Sequence, residues 1–264
     1  MIGLIAGSGK LPLIFSKNAK KNGEKILVIA LIDEADKKIQ RYADKLFWER
    51  PGNLTNIIKI LKREKIQRVS MLGKVHKINL FSSFMPDLKT LKILMTLKDK
   101  KDITILKRVI WEIEKNGIRV MPVTFYLENC LSKRGSLTKR KPNKKELRDI
   151  NFGFPIAKRL ANMDIGQTIV VKDRIILAVE GIEGTDETIK RGGILGRKNA
   201  VCIKVARSKQ DLRMDIPAIG IDTIKTLVRF KVNCLAIESN KMLIVEKEKL
   251  IKLAERSNIC VVSV

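Results

Sequence analysis

Short apolar runs alternate with amphipathic stretches along the first half of the chain. Residues 2–6, Ile-Gly-Leu-Ile-Ala, make a short strand, Gly7-Ser8-Gly9 a turn, and residues 11–22 carry helical spacing closed by Gly23. Residues 26–31 predict a second strand and 54–64 an amphipathic helix, and a third strand over 68–72 ends at Gly73-Lys74. Two more helices are predicted over 88–97 and 103–115, the second closed by Asn116-Gly117, with a short strand over 119–121. Strands alternating with helices imply a parallel sheet with helices on its faces, and ligands of such sheets bind at the carboxyl ends of the strands.

A basic, polar stretch over 132–145, with Gly135 and Pro142, reads as a linker. Beyond it come a helix near 144–161, strands over 168–172 and 175–180 joined by a tight Asp173-Arg174 turn, and a strand over 200–206. A helix over 223–230, strand pieces at 234–237 and 242–245, a helix over 246–256 and a closing strand over 260–264 complete the pattern. The expected fold is α/β in two domains. Residues 1–131 form a Rossmann-like parallel sheet with helices on both faces, and 146–264 form a catalytic α/β domain with a mixed sheet. There is no internal repeat.

Composition narrows the class. The 264 residues are 45% hydrophobic, enough for a sizeable core. The longest strongly apolar run, 26–32, is a strand's worth and far short of a membrane span. The N-terminus enters an apolar strand without a basic lead-in, so no signal peptide is expected and the protein reads as cytosolic. Cys130, Cys202, Cys234 and Cys260 form no CxxC pair and read as buried reduced thiols, and the lone His76 cannot build a zinc site with them. The net charge of +26 is shared by both halves of the chain, and aromatics are only 5%. Without a stacking motif or a helix-turn-helix cue, nucleic acid is not the expected partner. Two explanations of the charge stay open: solvated lysine faces, or attraction to anionic substrates and to the inner face of a membrane.

Several segments could carry chemistry. The Gly7-Ser8-Gly9-Lys10-Leu11-Pro12 loop between strand and helix could bring backbone amides to a phosphate. Pro12 stands where the dinucleotide fingerprint wants glycine, and Leu4 and Leu11 break the Walker pattern, so a structural turn is an equal alternative. Lys74 could contact a phosphate; His76 could act as a base, though a surface role is the simpler reading. Glu180, Glu183 and Asp186 surround Gly184 and Thr185 in a turn before a helix, where Thr185 could serve as a cap. Lys204 ends a strand. In an extended 210–217 segment, Asp211, Arg213 and Asp215 would share one face, with Leu212, Met214 and Ile216 on the other. Two carboxylates flanking a guanidinium suit a divalent ion with a phosphate, or a salt-bridge ladder on an edge strand.

Taken together, residues 3–12, Gly73-Lys74-Val75, Asp164-Ile165-Gly166-Gln167, Glu180 with Glu183-Gly184-Thr185-Asp186, and Gln210 to Pro217 with Ile219-Gly220 resemble the LpxI family of UDP-2,3-diacylglucosamine pyrophosphatases of the lipid A pathway. The resemblance runs in order along nearly the whole chain, and its specific motifs are the C-terminal ones. It implies two α/β domains holding the lipid nucleotide between them. It also implies Mg²⁺-dependent attack of water on the α-phosphorus, giving UMP and 2,3-diacylglucosamine 1-phosphate. An essential aspartate of the family falls on Asp211 or Asp215. Ser8 and Lys10 depart from a loop that is often richer in glycine and arginine.

The resulting expectation is specific. Asp211, Asp215 and an acid from Glu180, Glu183 or Asp186 hold Mg²⁺, and Lys204 and Arg213 bind non-bridging oxygens. Gly7, Ser8, Gly9, Lys10, Lys74, Thr185 and Gln210 contact substrate. Leu80, Phe81, Phe84 and Met85 line an acyl groove or, more simply, pack in the core. The partners are a lipid-linked sugar nucleotide and, peripherally, the inner face of the cytoplasmic membrane; a homodimer is left open. The rival is a sugar-nucleotide or polyanion binder without turnover.

Overall fold

The computed structural model describes residues 1–75, 87–97, 102–214 and 216–264. His76, the run containing Leu80, Phe81, Phe84 and Met85, and Asp215 lie outside the described residues. The chain divides into two compact units, Met1–Glu128 with Asp211–Asp215, and Asn129–Gln210 with Ile216–Val264.

The first unit is built on β1 (Ile2–Ala6), β2 (Ile26–Leu31), β3 (Lys45–Glu49), β4 (Arg68–Leu72) and β5 (Arg119–Val120), in the order β3-β2-β1-β4-β5. Every pairing is parallel. β1 and β2 are buried from end to end, which explains their unbroken apolar sequence. The helices are α1 (Leu11–Lys21), α2 (Leu54–Arg63), α3 (Leu88–Thr96) and α4 (Asp102–Lys115). On one face of the sheet, Ile5, Leu27, Ile29 and Val69 pack with Ile57, Ile58 and Leu61 of α2 and Ile110 and Ile113 of α4. Leu4 and Val28 alternate onto the other face, and α1 packs on β1 and β2 with Phe15 and Ala19 buried. The α/β class and the parallel sheet agree with the sequence. β3 does not follow from it: Lys45-Leu46-Phe47-Trp48-Glu49 is an edge strand with charged ends, too polar to read as a parallel strand.

The second unit holds a six-stranded mixed sheet and a two-stranded one. Its strands are β6 (Gly135–Ser136), β7 (Thr168–Lys172), β8 (Ile175–Val179), β9 (Ala200–Lys204), β10 (Ala218–Ile219), β11 (Val232–Ile237), β12 (Leu243–Ile244) and β13 (Cys260–Ser263). The large sheet runs β6-β13-β11-β9-β7-β8, and β10 pairs with β12. β9, β11 and β13 are parallel, while β7 is antiparallel to β8 and β9. α5 (Lys144–Asn162) packs on β7 and β9, and α6 (Thr185–Gly196) on β7 and β8. α7 (Ile221–Arg229) and α8 (Lys247–Arg256) add to the second core, around Leu227, Leu235 and Leu250. The four cysteines are buried and form no disulfide.

The stretch 132–145, expected as a solvated connector, is built into this unit. Ser132 is buried and donates its hydroxyl to the Glu238 carbonyl at 2.9 Å. β6 pairs with β13, and the Val261 amide donates to the Thr138 hydroxyl at 3.0 Å. Asn143 then caps α5 in a capping box with Glu146. Hydrogen bonding to a sheet edge and a helix start holds this backbone in place, while the basic side chains of Lys133, Arg134, Lys139, Lys141, Lys144 and Lys145 are exposed to solvent, as expected of them.

Candidate functional site

In the first unit the two glycine turns at the carboxyl ends of β1 and β4 interlock. The Gly7 amide donates to the Leu72 carbonyl at 2.7 Å, the Ser8 amide to the Lys74 carbonyl at 2.8 Å, and the Lys74 amide to the Ser8 carbonyl at 3.1 Å. The Ser8 hydroxyl also donates to the Lys74 carbonyl at 2.9 Å. A Cβ at Gly73, whose φ is +97°, would stand 2.5 Å from the Gly7 carbonyl carbon. These glycines therefore permit contact between two backbones, and the Ser8 amide is spent on that contact. Gly73→Ala combines left-handed strain with a backbone clash and is expected to lower stability by more than about 1 kcal/mol, read by urea unfolding. An unchanged midpoint would show that the turns can part freely.

Residues 211–214 do not form the extended ladder their alternation suggested. The Asp211 carboxylate accepts the Arg213 amide at 3.0 Å, and the Met214 amide donates to the Asp211 carbonyl at 3.1 Å, so the chain folds into a turn nucleated by the aspartate. Arg213 closes the turn, its Nη2 lying 2.8 Å from Asp211, while its Nη1 reaches the Glu114 carboxylate of α4 at 3.1 Å. Hydrogen bonding from Arg213, working against desolvation, holds the Asp211 carboxyl below its ordinary range, and Asp211 in turn raises Arg213. Leu212 is exposed and Met214 buried in the first core, and the Leu212 carbonyl accepts from the Val123 amide at 2.9 Å. The ion pair contained in the ladder reading survives for Asp211 and Arg213. Glu114, which shares the guanidinium, gave no signal in sequence because it is one of several charges on an amphipathic helix.

In the second unit the strand ends gather Glu180, Thr185 and Lys204. The Lys204 side chain is buried at the carboxyl end of β9 and donates to the Thr185 hydroxyl at 2.9 Å and to the Ala218 carbonyl at 3.1 Å. Thr185 donates to Glu180 at 3.0 Å, and the other Glu180 oxygen accepts the Gln167 amide at 3.0 Å. Thr185 is thus the first residue of α6 and bridges two charged groups; the cap position belongs to Gly184, with φ +82°. The capping expected of Thr185 is replaced by this bridge because Lys204 comes within reach of its hydroxyl. Gly166 lets the Gln167 turn close on Glu180, since a Cβ there would lie 2.1 Å from the Glu180 carbonyl oxygen. Glu183 accepts the Gly181 amide at 3.0 Å and pairs with Arg191. Asp186 is exposed in the first turn of α6.

One cluster here was missed in sequence. Glu238 follows β11 and is buried. Its carboxylate accepts from Lys158 Nζ at 3.0 and 2.9 Å, from the Ala206 amide at 2.9 Å, and from Lys241 at 3.0 Å. Lys158 also donates to the Ala206 carbonyl at 2.6 Å. Burial works against the charge, but Lys158, Lys241 and the Ala206 amide outweigh it and hold Glu238 below the ordinary carboxylate range. The cue was an acid directly after an apolar strand, the same cue that singled out Glu180.

Asp211 and Arg213 belong to the first unit, and Glu180, Glu183, Thr185, Asp186, Lys204 and the half-buried Gln210 to the second. Carboxylate oxygens suit Mg²⁺ chemically. Among the described residues, however, no three Asp, Glu, His or Cys side chains gather as a metal-holding group, and Asp211, Glu180 and Glu183 already accept protein hydrogen bonds. The described acids do not by themselves make a metal site. No helix of the described residues is long and apolar enough to cross a membrane.

These features define a two-unit α/β protein with buried and paired charges at the carboxyl ends of its strands. The family description "LpxI N-terminal domain" matches residues 1–130, and "LpxI C-terminal domain" matches 133–262. The chain is 32% identical to the UDP-2,3-diacylglucosamine pyrophosphatase LpxI of Caulobacter vibrioides, over all of this chain and 97% of that one. The chain belongs to the LpxI family, an enzyme family. Solved structures overlap it weakly. Bordetella bronchiseptica WbmG in complex with NAD and UDP does so at 15% identity and TM-score 0.30, over 44% of this chain and 34% of that one. A UDP-glucose-4-epimerase from Stenotrophomonas maltophila does so at 9% identity and TM-score 0.29, over 44% and 33%. Overlaps that shallow carry no argument.

Proposed function

We propose that this protein is a diphosphatase that hydrolyses the pyrophosphate bond of UDP-2,3-diacylglucosamine, releasing UMP and 2,3-diacylglucosamine 1-phosphate for lipid A biosynthesis. The reading rests on one observation: the full-length match to a relative of that name, with both family domains in order. In this proposal the protein works in the cytoplasm, at the inner face of the membrane that holds its lipid substrate.

The chain's own residues suit the task. Lys204 and Arg213 supply cationic donors for non-bridging phosphate oxygens, and pre-positioned donors of this kind stabilise charge that grows during phosphoryl transfer. Thr185 and Glu180 orient Lys204 through the bridge described above. Gly9, Lys10 and Lys74 border the interlocked turns at the start of α1, where an anionic group is favoured, and Gln210 leads into the Asp211 turn. Mg²⁺ belongs to the proposal through the family resemblance, since the described acids gather no metal-holding group among themselves. When bound, it would neutralise charge on the pyrophosphate.

Incubation with UDP-2,3-diacylglucosamine in ¹⁸O-water, with Mg²⁺ and with EDTA, tests each part. Release of UMP carrying the label, abolished by EDTA, is expected. Absence of cleavage with retained substrate would favour the binder without turnover. Label in the lipid phosphate would rule out attack at the α-phosphorus, and full activity in EDTA would remove the metal from the proposal.

A further inference from the structure

The outward face of α3 is built the wrong way round for water. Leu88, Leu91 and Met95 stand at i, i+3 and i+7, so they share one stripe, and they are 78%, 43% and 77% exposed. Ile93, on the opposite side, is buried in the first core. The helix is held in this orientation at its start. Asp87 accepts the Thr90 amide and, from α2, the Thr55 amide, both at 2.7 Å, and the Thr90 hydroxyl donates to the Gly52 carbonyl at 2.6 Å. An exposed aliphatic stripe on an anchored helix calls for a covering partner.

The surroundings identify that partner by charge. An open cavity of about 860 Å³ lies beside the stripe, and its lining includes Leu88 together with the cations Lys59, Lys92 and Arg108. Its acids are occupied: Asp87 by the two amides and Glu112 by Arg108 at 3.1 Å. Arg108 also stacks on the exposed Trp111 of α4, its Cζ 4.1 Å from the ring, and Lys115 Nζ sits 4.9 Å from the same ring. Aliphatic side chains, an exposed indole and flanking Lys and Arg are the residue types that settle at the boundary between lipid headgroups and acyl chains. A second copy of this chain would set these cations against their own kind on a molecule of net charge +26.

We propose that the α3 stripe, with Trp111 and the cations Lys59, Lys92, Arg108 and Lys115, is a docking surface for an anionic phospholipid bilayer. The side chains enter the headgroup region while the cavity receives a headgroup phosphate. This deepens the membrane placement in the proposed function but does not rest on turnover.

Flotation of the full-length protein with vesicles tests it. Binding is expected to equal parts of phosphatidylglycerol and phosphatidylcholine, to weaken with salt, and to be slight with phosphatidylcholine alone. Leu88→Ser with Met95→Ser should cut vesicle affinity about tenfold or more, and Lys92→Ala about fivefold, with unchanged melting temperatures. In a Trp48→Phe background the remaining tryptophan, Trp111, should shift its emission to the blue on adding anionic vesicles. Failure of the wild type to bind, or binding by the double variant as tight as wild type, would overturn the assignment. So would a dimer in sedimentation velocity that the double variant abolishes, since a second copy would then cover the stripe. The double variant should still turn over detergent-dispersed substrate. If the wild type binds vesicles but releases no UMP, the proposed function fails and the docking surface stands.

Discussion

Glu238→Ala is expected to destabilise the protein by about 2 kcal/mol in urea unfolding, because it leaves the half-buried Lys158 beside the Ala206 carbonyl without its carboxylate. Glu238→Gln keeps an acceptor and should cost less. The sign of the pH dependence follows from the depressed carboxyl of Glu238. Its contribution is present above the unfolded-state value of about 4.3 and is lost as pH falls through the lower folded value. Wild-type stability should therefore drop on acidification below about pH 4, and Glu238→Gln should lack that component. A loss under 0.5 kcal/mol, on the order of a surface change, for Glu238→Ala would show that Lys158 finds water at no cost.

Lys204→Met should leave the fold nearly intact while lowering kcat for UMP release by roughly 10²–10³, the scale measured for removing one pre-positioned donor. Methionine is of similar length and avoids burying a charge, so the loss of bonds to the Thr185 hydroxyl and the Ala218 carbonyl should cost about 2 kcal/mol of stability. Steady-state kinetics beside a thermal melt separates the two effects. Equal kcat in variant and wild type would confine Lys204 to a structural role.

Much of the fold was legible because burial on both faces writes itself as unbroken apolar sequence, as in β1 and β2, and one-sided burial as helical spacing, as in α2. β3 was lost because an edge strand with charged ends is only partly buried. The Asp211 turn was misread for a different reason. Its polar and apolar residues alternate as a strand's would, and only the hydrogen bond from the Arg213 amide to the Asp211 side chain decides against extension. Residue types at the site were readable, since Glu180 and Lys204 stand at strand ends. Their pairing through Thr185 depends on the antiparallel register Thr168 to Lys204, which no local pattern encodes.

The five residues from Asp211 to Asp215 carry a practical consequence. Because they belong to the first unit while their neighbours on both sides belong to the second, no single cleavage point yields two whole domains. A fragment ending at residue 130 lacks Met214 from its core and the Leu212 carbonyl that receives the Val123 amide. A fragment beginning at residue 131 carries those five residues without the structure that shapes them. Dissecting this protein into working halves would require supplying residues 211–215 to the first half as a separate peptide or a grafted loop.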